Sequence, residues 1–231
     1  MSKLLLYLVI FGMSIPSSYS QVKQRSIKMG DGPRVNYSIY LPGKYKKKDS
    51  LTLIIALHWG WRSNELPENF SKTFMESFVI PIFKDNNTIL LAPNCPGSSW
   101  VDDQSLSAVL KLRKFSLEKY NINPSNIIIT GFSLGGIGTW YLATHYPGLF
   151  TCAIPIAGYP KKEWLELADP IKIMAVNSAD DEVIPVDQTR TAVEYLKSKN
   201  IDISLLELNE VSHYNINLFI EPVKRFYLTN K

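Results

Sequence analysis

The sequence predicts an α/β fold, a mostly parallel central sheet with helices on both faces. Three observations carry this. Short, continuous apolar runs recur along the chain, as strands covered on both faces require. Segments with apolar residues at helical spacing separate them, and strands alternating with helices imply parallel pairing. Finally, the run Ile127-Ile128-Ile129-Thr130 leads into Gly131-Phe132-Ser133-Leu134-Gly135 and then into a helical pattern. That is a glycine-x-serine-x-glycine elbow in the strand, tight turn and helix context that it needs.

Each element follows in order. Val22 to Met29 and Arg34 to Leu41 read as an antiparallel hairpin joined by Gly30-Asp31-Gly32-Pro33, with Val35, Tyr37, Ile39 and Leu41 on one buried face. Leu51 to Leu57 is a strand buried on both sides. Phe70 to Phe83 has helical spacing, with a break or kink expected near its end at Pro81. Thr88 to Ala92 is a strand and Leu106 to Tyr120 an amphipathic helix. After the elbow strand come a helix from about Gly136 to His145, a strand from Cys152 to Ala157 and another from Ile171 to Asn177. Val186 to Lys199 is a helix, Ile203 to Leu208 the last strand and Asn215 to Leu228 the last helix. A chain of 231 residues fits one domain with a substantial core.

The first twenty residues read differently. Met1, Ser2 and Lys3 give a short positive region, Leu4 to Met13 is nearly all apolar, and Ser18-Tyr19-Ser20 sets small residues where a signal peptidase looks. Residues 1–20 are therefore expected to be a signal peptide cut near Ser20, with residues 21–231 forming a single exported catalytic domain. The apolar run is shorter than the roughly 20 residues that span a bilayer, so no stable membrane insertion is expected after cleavage. The net charge of +4 is modest, and the basic run Lys44 to Lys48 reads as a solvated loop, so no nucleic-acid partner is expected.

At the elbow, Ser133 projects from the end of its strand, and the N–H groups at the following helix start face whatever anion forms there. An activated serine needs a base and a group that orients the base. The chain has three histidines. His213 lies in a polar loop after the last strand and is the expected base. His58 ends the Leu51 strand and reads as a brace for its loop. His145, at the exit of the helix behind the elbow, reads as structural. The orienting acid should follow the Ile171 strand, where Asp180, Asp181 and Glu182 compete, and chain order alone does not choose among them. The oxyanion hole should use the Leu134 N–H and one donor from Trp59, Gly60 or Trp61. Trp59, Trp61, Trp100 and Tyr159 all follow strands on the same edge. They could line an aromatic substrate cleft or simply pack in the core.

These residues resemble the α/β-hydrolase superfamily over essentially the whole mature chain. The nearest likeness is to its compact, lidless esterases of the phospholipase/carboxylesterase, dienelactone-hydrolase and polyhydroxybutyrate-depolymerase/feruloyl-esterase type. The stretches from Asn123 to Gly136, from His145 to Gly158 and from Asp181 to Pro185 carry the resemblance. The last looks like the family's Asp-x-Val-Val-Pro, which implies that Asp181 is the acid. Two departures stand out: His58-Trp59-Gly60 where the family has His-Gly, and Ser212 where it has glycine before the histidine. The implied strand order sets two strands between those bearing Cys95 and Cys152, about 14 Å sideways, so two free cysteines are expected. The segment from Gly158 to Pro170, where relatives insert a lid, is short.

The expectation is an exported serine esterase using Ser133, His213 and Asp181, acting on small-molecule or polymer-linked esters. No cofactor is needed, and no set of residues has metal-ligand spacing. A serine peptidase of the same fold and a binding protein that has lost catalysis are the alternatives.

Overall fold

The computed structural model describes residues 22–231 apart from 31, 44, 45, 47, 62–65, 147 and 167–169. The segment 1–20 read as a signal peptide lies outside the described residues, as does part of the basic run that begins at Lys44. Eight strands form one sheet in the order β1-β2-β4-β3-β5-β6-β7-β8. β1 (Val22–Lys28) and β2 (Arg34–Tyr40) make the expected antiparallel hairpin, and β2 joins β4 (Thr88–Pro93) antiparallel. From β4 through β3 (Leu51–Leu57), β5 (Ile122–Phe132), β6 (Cys152–Ile156), β7 (Lys172–Ser178) and β8 (Ile203–Leu208) every pairing is parallel. This is the α/β-hydrolase arrangement.

β3 shows why the strands read as unbroken apolar runs. Leu53, Ile55 and Leu57 point into one core layer and Ile54 and Ala56 into the other, and all five are fully buried. The first layer is closed by α3 (Asp103–Lys119), α4 (Leu134–His145), α5 (Lys162–Leu165) and α6 (Val186–Ser198). The second is closed by the helical segment from Phe70 to Phe83 and by α7 (Asn217–Asn230).

Three elements depart from the sequence expectation for local reasons. Pro81 does not break its helix. Instead α1 (Phe70–Phe74) widens into a π turn over Met75–Val79 directly before Pro81, and the chain continues helical as α2 (Ile80–Phe83). α3 starts at Asp103 rather than Leu106 because the Asp102 carboxylate caps it, accepting the Ser105 N–H at 2.8 Å. α4 starts at Leu134, directly after the elbow serine, rather than near Gly136. Cys95 and Cys152 are free and buried, with β3 and β5 between the strands they adjoin.

Candidate active site

β5 runs between β3 and β6 and ends at Phe132, so the elbow emerges at the carboxyl edge of the sheet, near its middle. Ser133 sits at φ 58°, ψ −116°, a conformation costing about 1–3 kcal/mol for a residue with a side chain. Its surroundings impose that conformation. The Ser133 N–H donates to the Ile156 carbonyl at 3.0 Å, and the Ser133 carbonyl accepts from Ile137 N–H. A Cβ at Gly131 would fall on the Gly135 carbonyl, and one at Gly135 on the Leu57 carbonyl. Glycine at these two positions therefore lets β3, β5 and α4 close to van der Waals contact behind the serine. The N–H of Leu134 opens the helix and has no partner within it.

The structure brings the three sequence-selected residues together. Ser133 Oγ lies 2.9 Å from His213 Nε2, and His213 Nδ1 lies 2.8 Å from Asp181 Oδ2. The Asp181 side chain is wholly buried and that of His213 nearly so. Asp181 Oδ1 accepts the N–H groups of Val183 at 2.9 Å and Ile184 at 2.7 Å. A carboxylate only accepts, so Nδ1 carries the imidazole proton and Nε2 is left to take the serine hydroxyl's hydrogen. The arrangement can move a proton from Ser133 to His213 while Asp181 holds the ring.

Asp180 and Glu182, the two competing acids, are exposed loop charges that also hold main-chain donors. Asp180 Oδ2 accepts the Glu210 N–H at 2.7 Å, and Glu182 holds the main chain at His213. Sequence reasoning missed this because the partners lie 30 or more residues away.

His58 is fully buried and braces its own loop, as expected, and also the loop at Cys95. Its Nδ1 donates to the Trp59 carbonyl at 2.7 Å and its Nε2 accepts the Cys95 N–H at 3.1 Å. Burial pushes its pKa down to about 4, against the opposing hydrogen bond to Trp59. The unfolded chain therefore takes up this proton more readily than the folded one. Stability is fully present above the ordinary value of 6.5 and is lost as pH falls toward 4, by about 3 kcal/mol. Urea unfolding followed from about pH 7 to about pH 4 should show a steep acid loss that His58→Gln flattens by about that amount. An equal slope in both proteins would refute the assignment.

Two of the expected cleft aromatics, Trp59 and Trp61, follow β3 and face opposite core layers. Half-buried Trp59 packs edge-on against Phe70, Phe74 and Phe132, whereas half-buried Trp61 packs against His58 and the other core layer. Trp100 is a correction: it is fully buried, its indole N–H bonds the His58 carbonyl at 2.9 Å, and it has no surface to offer a substrate. Gly138, on the first turns of α4, leaves the room that its side chain fills. Tyr159 is half-buried. Trp59 instead forms one wall of an open groove of about 460 Å³ with Ser77, Tyr214, Asn215, Ile216, Asn217 and Leu218. Tyr214 follows His213 directly, is 62% exposed and has its ring edge-on to the imidazole at 5.7 Å. Sequence reading passed over Tyr214, although its place beside His213 was visible.

The loop after β3 reaches the helix start: a Cβ at Gly60 would lie 3.9 Å from that of Leu134. Because the Trp59 carbonyl is held by His58 and a trans peptide sets C=O and N–H in opposite directions, the Gly60 N–H points away from the His58 ring. Among the described residues, the N–H groups of Trp59, Gly60 and Trp61 find no acceptor. A second cavity of about 440 Å³, lined by Thr52, Thr88, Cys152, Lys172 and Tyr227, opens at the amino ends of the parallel strands, away from Ser133. Among the described residues, no group of three His, Cys, Asp or Glu side chains could hold a metal ion.

Comparison with known proteins agrees with this architecture. The model of the phospholipase/carboxylesterase family matches residues 102–230. The chain is similar to acetylxylan esterase A of Emericella nidulans, with 26% identity over 158 residues, 63% of this chain and 48% of that protein. It spans about half the length of the curated relatives it matches. Its fold is shared with a thermostable esterase (TM-score 0.76, 24% identity, 90% of this chain and 62% of that one). It is also shared with the acylaminoacyl peptidase of Pyrococcus horikoshii (TM-score 0.66, 12% identity, 90% of this chain and 41% of that one).

Proposed function

The chain belongs to the phospholipase/carboxylesterase family, an esterase branch of the α/β hydrolases, and on that premise we propose that it is an exported serine hydrolase that cleaves carboxylic esters through Ser133, His213 and Asp181. The observation that carries this reading is the continuous hydrogen-bonded path from Ser133 through His213 to buried Asp181, beginning on a strained serine at a helix start.

In the proposed reaction, His213 Nε2 takes the Ser133 proton as Oγ attacks the ester carbonyl. The negative charge that develops is met by the Leu134 N–H and by a second N–H from the loop of Trp59, Gly60 and Trp61. Asp181 remains ionised, held by its two main-chain donors, and stabilises the imidazolium. The alcohol leaves with the proton from His213, and water repeats the cycle on the acyl-enzyme. The groove between Trp59 and Tyr214 lies beside His213, the group that protonates the leaving alcohol, so we assign the alcohol portion to it. Its mixture of aromatic and amide side chains suits a polyol. This agrees with relatives named for acetylated xylan, and we take small acyl esters on carbohydrates as the substrate class.

The export reading rests on the charged, apolar and small-residue pattern of residues 1–20. No helix among the described residues is long and apolar enough to cross a membrane.

The mature protein should hydrolyse p-nitrophenyl acetate, and the corresponding anilide at a rate lower by about 10³-fold or more. A fluorophosphonate should label Ser133, read by peptide mass. Comparable ester and anilide rates would move the assignment to a peptidase. Failure of the folded protein to react with either probe would leave the binding-protein alternative.

A further inference from the structure

Three consecutive acids follow β7, and all three bond the loop that carries His213. Asp180 takes the Glu210 N–H and Asp181 the imidazole. Glu182 divides its two oxygens between adjacent residues. Oε1 accepts the Ser212 hydroxyl at 2.6 Å, and Oε2 accepts the His213 N–H at 3.0 Å. The Ser212 oxygen in turn accepts the Tyr214 N–H at 3.3 Å, while the Ser212 carbonyl closes a turn with the Asn215 N–H at 3.0 Å. The histidine is thus fixed twice to one stretch of chain, its ring to Asp181 and its main chain to Glu182. That stretch is itself held by the Val183 and Ile184 N–H groups on Asp181.

This accounts for the departure at residue 212. A glycine there would have no hydroxyl to offer Glu182 and none to receive the Tyr214 N–H. We propose that Glu182 and Ser212 form a two-residue clamp in which Glu182 is a positioning residue, setting the distance between His213 and Ser133 and contributing negative charge beside the imidazolium. The inference rests on the proposed hydrolase function.

Two physical points support a role in rate rather than in folding. Glu182 and Ser212 are not core residues, Glu182 being exposed and Ser212 half-buried, so little packing depends on them. A positional error of about 1 Å at a proton-transfer centre can cost about 100-fold in rate. The Ser212 hydroxyl, the Glu182 main-chain N–H and the His213 N–H together hold the Glu182 carboxyl below its ordinary value, so it stays charged at neutral pH. The other titratable groups on the two loops are Asp180 and Asp181 on the same segment, and Glu210 and Tyr214 on the loop of His213, of which Asp181 and Tyr214 meet the ring. The elbow and the adjoining aromatics Phe132 and Phe219 add none.

The test uses Glu182→Gln, Ser212→Gly and the double variant in the full mature chain. Hydrolysis of p-nitrophenyl acetate is followed from about pH 5 to about pH 9, beside wild type and Ser133→Ala. Glu182→Gln should lose about five- to tenfold in kcat with KM within about twofold, because the substrate does not touch it. Its acid limb should move to lower pH by a few tenths of a unit, since a neutral amide no longer favours the protonated imidazole. Tm should stay within about 2 °C. Ser212→Gly should lose less, and the double variant no more than Glu182→Gln alone, as two parts of one device do. A kcat within about twofold of wild type with an unmoved pH profile would overturn the clamp. A kcat loss accompanied by a lowered Tm and an unmoved profile would also overturn it, leaving a structural role. These outcomes presuppose an active wild type silenced by Ser133→Ala. An inactive and unlabelled wild type would remove the underlying reaction instead.

Discussion

Replacing Ser133 by alanine is expected to lower kcat on p-nitrophenyl acetate by about 10⁴-fold or more while the protein stays folded. The hydroxyl is the only atom removed, and the elbow does not depend on it. Its main-chain bonds to Ile156 and Ile137 and the glycine contacts behind it are unchanged. Alanine at φ 58° is as strained as serine, so Tm should barely move. Ser133→Gly should be equally inactive but more stable by up to about 1 kcal/mol, because glycine adopts positive φ without a steric cost. Retained activity within about tenfold of wild type in a folded Ser133→Ala protein would end the nucleophile assignment. His213→Ala should cost about as much, and the double variant little more than either, because the two groups act as one unit.

Asp181→Asn is expected to cost about 10⁴-fold in kcat, and the reason is local. Asp181 Oδ1 accepts two N–H groups, from Val183 and Ile184, inside a fully buried site. Only the carbonyl oxygen of an asparagine can occupy that position, which turns the amide NH₂ toward His213 Nδ1. That nitrogen must then accept, the ring proton moves to Nε2, and the imidazole can no longer take the Ser133 proton. The loss is one of tautomer rather than of fold, so circular dichroism should be unaltered and fluorophosphonate labelling much slower. Asp180→Asn provides the contrast. Among the described residues its carboxylate meets only a main-chain N–H, so kcat should stay within about tenfold. If the two losses were reversed, Asp181 would not be the orienting acid.

Much of this organisation was legible in advance. β3 and β8 have the bounds read from the apolar runs, and the hairpin, the elbow and the alternation of elements follow from periodicity and turn residues. Helix starts were less legible, because α3 is begun by the Asp102 carboxylate and α4 by a serine in a strained conformation. Among the aromatics, neighbours in sequence proved poor guides. Trp59 and Trp61 lie two residues apart yet pack into different layers, and Trp100 is sealed beneath His58 while Tyr214 stands exposed beside His213.

By itself the sequence determined the strand and helix order, the serine on its glycine-flanked turn, and the succession of serine, acid cluster and histidine along the chain. These depend on local spacing and on backbone conformations that particular residues permit. The likeness of the stretch from Asp181 to Pro185 to a family motif already pointed to Asp181 as the acid, but only the tertiary structure decided that Asp180 and Glu182 hold the histidine loop. That outcome depends on how β7 and β8 pair in parallel register and carry their loops to the same edge of the sheet. A carboxylate's partner there comes from a segment some thirty residues away, and nothing in its own neighbourhood along the chain specifies the meeting.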